Sequence, residues 1–276
     1  MILDNQTDNV YLAKGLLSYR RFANSLLKAF NDEGIDFGWL PLTDSPEYIW
    51  ARDYMPIQLE KDLFLQYTYS PDYLAGYPRY IPNCRGICDG MGLNCISTDI
   101  ILDGGNVVRC GDKVIMTDKI FGENPRYGRA ALADELESLF SAELVIIPWD
   151  RYEMFGHADG MVRHLGGNRV LLNNYADFDR GLRRRLLDSL AGHFEVSELT
   201  YPVAERSPLS WAFLNFLQVK DCIFVPHLPI IESGHACRQI QEAFPGCRVR
   251  FVDDAEAVVR EGGALNCVTW NILSGR

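Results

Sequence analysis

The sequence predicts an α/β fold built by radial repetition, a propeller-like ring with its helices outside. Three observations carry that expectation. Apolar residues recur at three- and four-residue spacing in several separate stretches, which marks amphipathic helices. Between these stretches lie paired apolar runs joined by Gly, Asp or Asn, which marks tight hairpins. Hairpin followed by helix recurs roughly four or five times in 276 residues, so one strand-strand-helix unit repeats. A doubly wound parallel sheet needs single strands alternating with helices, and the hairpins argue against it.

The elements follow in chain order. The first helix is expected over Leu16–Asn31, with Leu26, Leu27 and Phe30 on one face and Gly34 as its stop. Ser70–Asp99 breaks the pattern with three prolines, four glycines and the aromatic Tyr73, Tyr77 and Tyr80. It reads as an irregular insertion at about 70–99, either a lid or rim over a site or a surface segment without a role. Val107–Arg109 and Val114–Thr117 flank a Cys-Gly-Asp-Lys turn, and a helix over Tyr127–Phe140 follows. Met161–Leu165 and Arg169–Leu172 flank Gly166-Gly167-Asn168. The next helix, Phe178–Leu190, carries Leu182, Leu186, Leu187 and Leu190 and stops at Gly192. Phe213–Val219 and Ile223–Pro226 flank Lys220-Asp221, and a helix over His235–Phe244 ends at Pro245-Gly246. Residues 1–276 are expected to form a single domain.

Composition narrows the function classes. Hydrophobic residues make up 47% and charged residues 23%, close to an ordinary globular protein. No window approaches the roughly 20 apolar residues of a membrane span, and no basic stretch leads into an apolar run at the N-terminus. A net charge of −10 argues against a nucleic-acid partner and suits a cationic small molecule, or simply an acidic cytoplasmic protein. The eight cysteines lack a dense disulfide framework and read as reduced thiols of a cytoplasmic chain. Cys84, Cys88 and Cys95 cluster without paired spacing or a nearby histidine, so no metal site is expected there.

Four short segments set reactive residues at strand ends, three of them beside glycines: Trp50-Ala51-Arg52-Asp53, Asp103-Gly104-Gly105-Asn106, Gly156-His157-Ala158-Asp159-Gly160 and Gly262-Gly263-Ala264-Leu265-Asn266-Cys267. His157 and Asp159 are two apart and would face one side of an extended backbone. That pair fits catalysis, a structural hydrogen bond or metal ligation. Taken singly, Cys267 reads as a small core residue, Asp53 as a loop residue and Asp103 as the start of a turn.

Together, the four segments in this order resemble the guanidino-group modifying superfamily, the penteins. The resemblance is nearest to the agmatine deiminase and bacterial peptidylarginine deiminase-like branch. It covers most of the chain from about Asn5 onward. It implies a pentein β/α-propeller of five pseudo-repeats. It also implies Cys267 as nucleophile, His157 as general acid and base, and Asp53 and Asp159 as the grip on the guanidinium. Asp103 would orient the histidine, and Trp50 and Gly263 would line the substrate position. No cofactor is implied, the compartment would be cytoplasmic, and a homodimer is a family-level expectation. Three departures bear on which guanidino compound is bound: Asp103 stands where many relatives have Glu, Asn266 where the agmatine enzymes have His, and Tyr54-Met55-Pro56 follows Arg-Asp.

The chemistry implied is hydrolysis of a guanidino substrate, agmatine or a related small compound, to a ureido product and ammonia. A guanidinium carbon is a poor electrophile until its charge is localised, and paired carboxylates hold it flat for attack. The rivals are a peptidyl-arginine or free arginine deiminase, an amidinotransferase, a cysteine acyl hydrolase and a non-catalytic pentein binding protein. Arg85 and Arg206 are candidates for holding a substrate carboxylate, and Glu205 for holding a distal amine.

Overall fold

Among the described residues, fifteen strands fall into five three-stranded sheets. The computed structural model describes residues 1–41, 48–153, 155–203, 206–207 and 209–274. The strands are β1 Asn9–Leu12, β2 Asp36–Trp39, β3 Ile57–Glu60, β4 Leu63–Thr68, β5 Cys95–Ile101, β6 Val108–Cys110, β7 Lys113–Thr117 and β8 Glu143–Ile147. They continue as β9 Val162–Gly166, β10 Arg169–Leu172, β11 Glu195–Glu198, β12 Leu217–Val219, β13 Cys222–Pro226, β14 Arg248–Val252 and β15 Thr269–Ile272.

Every sheet has one plan. Two strands pair antiparallel, a helical crossover follows, and a third strand joins parallel to the second, as in β6–β7 then β7–β8. The fifth sheet joins the chain ends: β15 pairs antiparallel with β1, and β1 runs parallel to β2. The repeat is therefore strand-strand-helix-strand, one strand longer than the unit read from the sequence. The third strands escape because they are short and mostly solvent-facing, so they lack the alternation that marks a half-buried strand.

The long helices form where the apolar stripes predict them, with shifted ends. Arg20–Glu33 buries Phe22, Ala23, Leu26 and Phe30, and Gly34 closes it in the left-handed conformation. Residues 16–18, read as its first turn, belong to a separate 3-10 turn over Lys14–Ser18. Arg129–Phe140, Arg180–Leu190 and Glu232–Ala243 take the places of the other three. In Arg180–Leu190 the buried face is Leu182, Leu186 and Leu190, each contributing about 2 kcal/mol by burial.

Residues 70–99 are a correction. Their second half is regular: helix Cys84–Met91, then most of β5, which pairs parallel with β4. Glycines at 86 and 90 lower the helix propensity of this stretch and hide it. It is held instead by the Asn83 cap, which accepts from Gly86 N at 3.0 Å, and by burial of Cys84, Ile87 and Cys88 on one face. Only the first half is irregular, with 3-10 turns at Asp72–Leu74 and Pro78–Tyr80.

A short turn precedes the first strand of each unit: Ala51–Tyr54 before β3, Gly104–Asn106 before β6, Ala158–Gly160 before β9, Ala212–Leu214 before β12, and residues 265–268 before β15. The first three lie against one another in succession, and Ala158–Gly160 also touches Ala212–Leu214. At the other end of the first strands sits Asp4. Its carboxylate accepts from Arg109 on β6, from Arg163 Nη2 on β9 at 3.0 Å and from Asn271 Nδ2 on β15 at 3.3 Å. Asn271 also donates to Gln218 O on β12 at 3.0 Å. The arginines outweigh burial and hold the Asp4 carboxyl well below its usual range. The ring is thus pinned at one end by charge, and its opposite turns are left to present side chains.

Candidate active site

The turns deliver the candidate residues to one place. His157 Nε2 lies 2.9 Å from Asp103 Oδ2, and His157 Nδ1 lies 3.6 Å from Asp53 Oδ1. The shorter Asp103 therefore reaches the imidazole directly. Cys267 Sγ points at Asp159 Oδ2 across 3.9 Å, and the same oxygen accepts from Asn266 Nδ2 at 2.6 Å. All five are buried, with Cys267 5% and His157 7% exposed.

One local reading is corrected. His157 and Asp159 do not share one face of an extended strand: His157 is extended, but Ala158–Gly160 is a 3-10 turn. The turn sends the imidazole toward Asp53 and Asp103 and the carboxylate toward Cys267. Cys267 sits in the turn before β15.

Glycines make the close approaches. A Cβ at Gly105 would lie 2.6 Å from His157 Nδ1 and 2.7 Å from Asp53 Oδ1, so only glycine lets that pair meet. Gly105 N also donates to Asp53 Oδ1 at 3.2 Å. A Cβ at Gly263 would lie 2.1 Å from the Trp50 ring, which rests on the backbone there. Tyr73, from the irregular half of 70–99, meets Phe155 edge-on at 5.0 Å and His157 at 6.2 Å between ring centres. The rim reading of that segment gains a contact with the histidine.

Several residues at the site were not singled out from the sequence. Asn215 Oδ1 accepts from Ala264 N at 3.2 Å and Cys267 N at 3.3 Å, fixing the turn that carries the thiol. Arg52 N donates to Cys267 O at 3.1 Å, and its side chain reaches Asn266 O at 3.3 Å and Asn271 Oδ1. Lys119, 3% exposed, lies 3.6 Å from Asp103 Oδ2. Asn215 lies just before the first strand of its unit, where the other motifs sit, whereas the sequence places it inside the expected strand Phe213–Val219.

Burial and charge set the protonation states. Burial pushes Asp53 up to about 7; Asp103 and Asp159 add to the rise, while His157 opposes it. Burial alone would lower His157, but Asp53 first, then Asp103 and Asp159, outweigh it and hold the imidazole up at about 9. Burial, then Asp159 and Asp53, push the Cys267 thiol well above its ordinary value. The site as it stands therefore pairs a neutral thiol with an imidazolium at neutral pH. A cation arriving between Asp53 and Asp159 would offset the charges that disfavour the thiolate.

The remaining candidates fall elsewhere. Arg206 is occupied: Nη2 donates to Asp150 Oδ2 at 2.5 Å and lies 3.7 Å from Glu153 Oε1. Arg85 is exposed on the helix Cys84–Met91, and Glu205 lies outside the described residues. Cys84, Cys88 and Cys95 form no disulfide, and the described residues contain no His, Cys, Asp and Glu group arranged to hold a metal. No helix among the described residues is long and apolar enough to cross a membrane.

Comparison with known proteins agrees with this fold. An agmatine deiminase of Enterococcus faecalis superposes with a TM-score of 0.77 at 17% identity, covering 99% of this chain and 96% of the other. A C. jejuni agmatine deiminase superposes with a TM-score of 0.74 at 16% identity, covering 98% and 94%. SxtG, an amidinotransferase from Microseira wollei, gives a TM-score of 0.68 at 11% identity, covering 96% and 94%. At these identities the likeness establishes the five-unit pentein fold. No curated protein sequence matches the chain significantly. The family model for the Porphyromonas-type peptidyl-arginine deiminases matches residues 20–272, nearly the whole chain, and the protein belongs to that family.

Proposed function

We propose that the protein hydrolyses a small cationic guanidino compound, agmatine or a close relative, to a ureido product and ammonia. The observation that carries this reading is the gathering of Cys267, His157, Asp53, Asp103 and Asp159 from four separate turns into one buried cluster. Asp53 and Asp159 hold the planar cation by its N–H groups. Cys267, its proton lost, attacks the central carbon to give a tetrahedral adduct. His157 gives its proton to the departing nitrogen, ammonia leaves, and a thiouronium remains on the sulfur. Neutral His157 then takes a proton from water as the water oxygen attacks the same carbon. Collapse breaks the carbon–sulfur bond and restores the thiolate.

Charge beside Asp159 favours an amine over a carboxylate at the far end of the substrate. Arg206 is neutralised by Asp150. Glu153 Oε2 lies 3.9 Å from where a Gly160 side chain would begin, beside Asp159. Burial, with the Asp150 charge, pushes Glu153 up to about 7, and an ammonium beside it would restore its ionised form. The test is ammonia release from agmatine and from an uncharged alkylguanidine of equal length, with wild type and Glu153→Gln. The variant is expected to raise KM for agmatine about tenfold at near-constant kcat, the loss of one charge-assisted contact. It leaves the alkylguanidine unchanged. Equal effects on both compounds contradict the role of Glu153, and no ammonia from any guanidino compound contradicts the function.

A further inference from the structure

We propose that Lys119 is a positioning residue that holds Asp103 against His157 and ties that pair to the Asp72–Tyr73 rim. The ammonium, at the start of the short helix Lys119–Glu123, meets three carboxylates: Asp103 Oδ2 at 3.6 Å, Asp72 Oδ1 at 3.1 Å and Glu123 one turn along. It also lies 5.3 Å from the centre of the Tyr73 ring, the ring that faces His157. One buried cation thus touches both the carboxylate that orients the imidazole and the segment that covers it.

A lysine so deeply buried is costly unless its partners compensate it. Asp103 and Glu123 are buried with it, whereas Asp72 is exposed. The arrangement has two consequences for His157, whose neighbours are Asp53, Asp103, Asp159 and the Tyr73 and Phe155 rings. Lys119 offsets part of the Asp103 charge, so without it the imidazole faces a more negative field. Asp72 offsets part of the Lys119 charge, so without it the imidazole faces a more positive field. The two substitutions move the histidine in opposite directions. A lysine whose charge does not reach the imidazole would produce no such sign reversal.

The test titrates the His157 imidazole by NMR in wild type, Lys119→Met and Asp72→Asn, with His157→Gln supplying the assignment. Lys119→Met is expected to raise the histidine pKa by about one unit, and Asp72→Asn to lower it by about half a unit. Lys119→Arg restores the wild-type value. Should Lys119→Met fail to fold, Asp72→Asn and Lys119→Arg still decide: a downward shift in the first with none in the second supports the proposal. Shifts of the same sign, or none in any variant, overturn it. The measurement needs no substrate, so its failure and the failure of the deiminase reading are separable. The alkaline limb of kcat/KM for agmatine, which does rest on that reading, is expected to follow the same order.

Discussion

Cys267→Ala is expected to cut ammonia release by at least about 10⁴-fold, because no other group can carry the covalent intermediate. The cost to folding is small, about 1 kcal/mol. The sulfur contributes a small buried volume, and the turn around it is held by backbone contacts: Cys267 N to Asn215 Oδ1 and Arg52 N to Cys267 O. Substrate still binds, since Asp53 and Asp159 are untouched and the thiol that donates toward Asp159 is gone. Calorimetry with agmatine and thermal unfolding of the variant separate these effects. Turnover within tenfold of wild type would remove Cys267 from the chemistry.

Asp53→Asn is expected to lower kcat/KM by about 10³-fold through two linked losses. The first is the charge that compensates the buried cation, since a neutral amide cannot replace a carboxylate there. The second acts on His157. The Asp53 charge is among the groups that hold its imidazole up at about 9. With Asp53 neutral, the folded-state pKa of His157 falls, and the protonated acid needed for ammonia departure is lost at lower pH. In wild type the pH profile of kcat/KM should be bell-shaped. Its acid limb lies near the Asp53 value of about 7 and its alkaline limb near the His157 value of about 9. The variant should lose the first limb and shift the second downward. An alkaline limb that stays in place would mean that Asp53 does not act on His157.

The repeat was legible because its largest parts obey local rules. The helix Arg180–Leu190 buries leucines at strict four-residue steps, and Val114–Thr117 is a continuous buried run. The helix Cys84–Met91 was not, because its glycines argue against it and only the Asn83 cap and one buried face support it. The candidate set was legible for a different reason: acids, a histidine and a cysteine stand where apolar strands begin or end, in three of the four segments beside glycines. Asn215 lacks that setting. Flanked by Phe213, Leu214 and Phe216, it reads as part of a buried strand. Lys119 carries no local signal, and only the tertiary fold brings three carboxylates to it.

The covalent step is the most direct point of attack on the whole account. Wild-type protein mixed with agmatine and acid-quenched within milliseconds should yield the Cys267 peptide carrying the mass of the substrate less one ammonia. That species should disappear as free ammonia accumulates and be absent from Cys267→Ala. Ammonia formed with the Cys267 peptide unmodified at every quench time, or the adduct found on another cysteine, would contradict it.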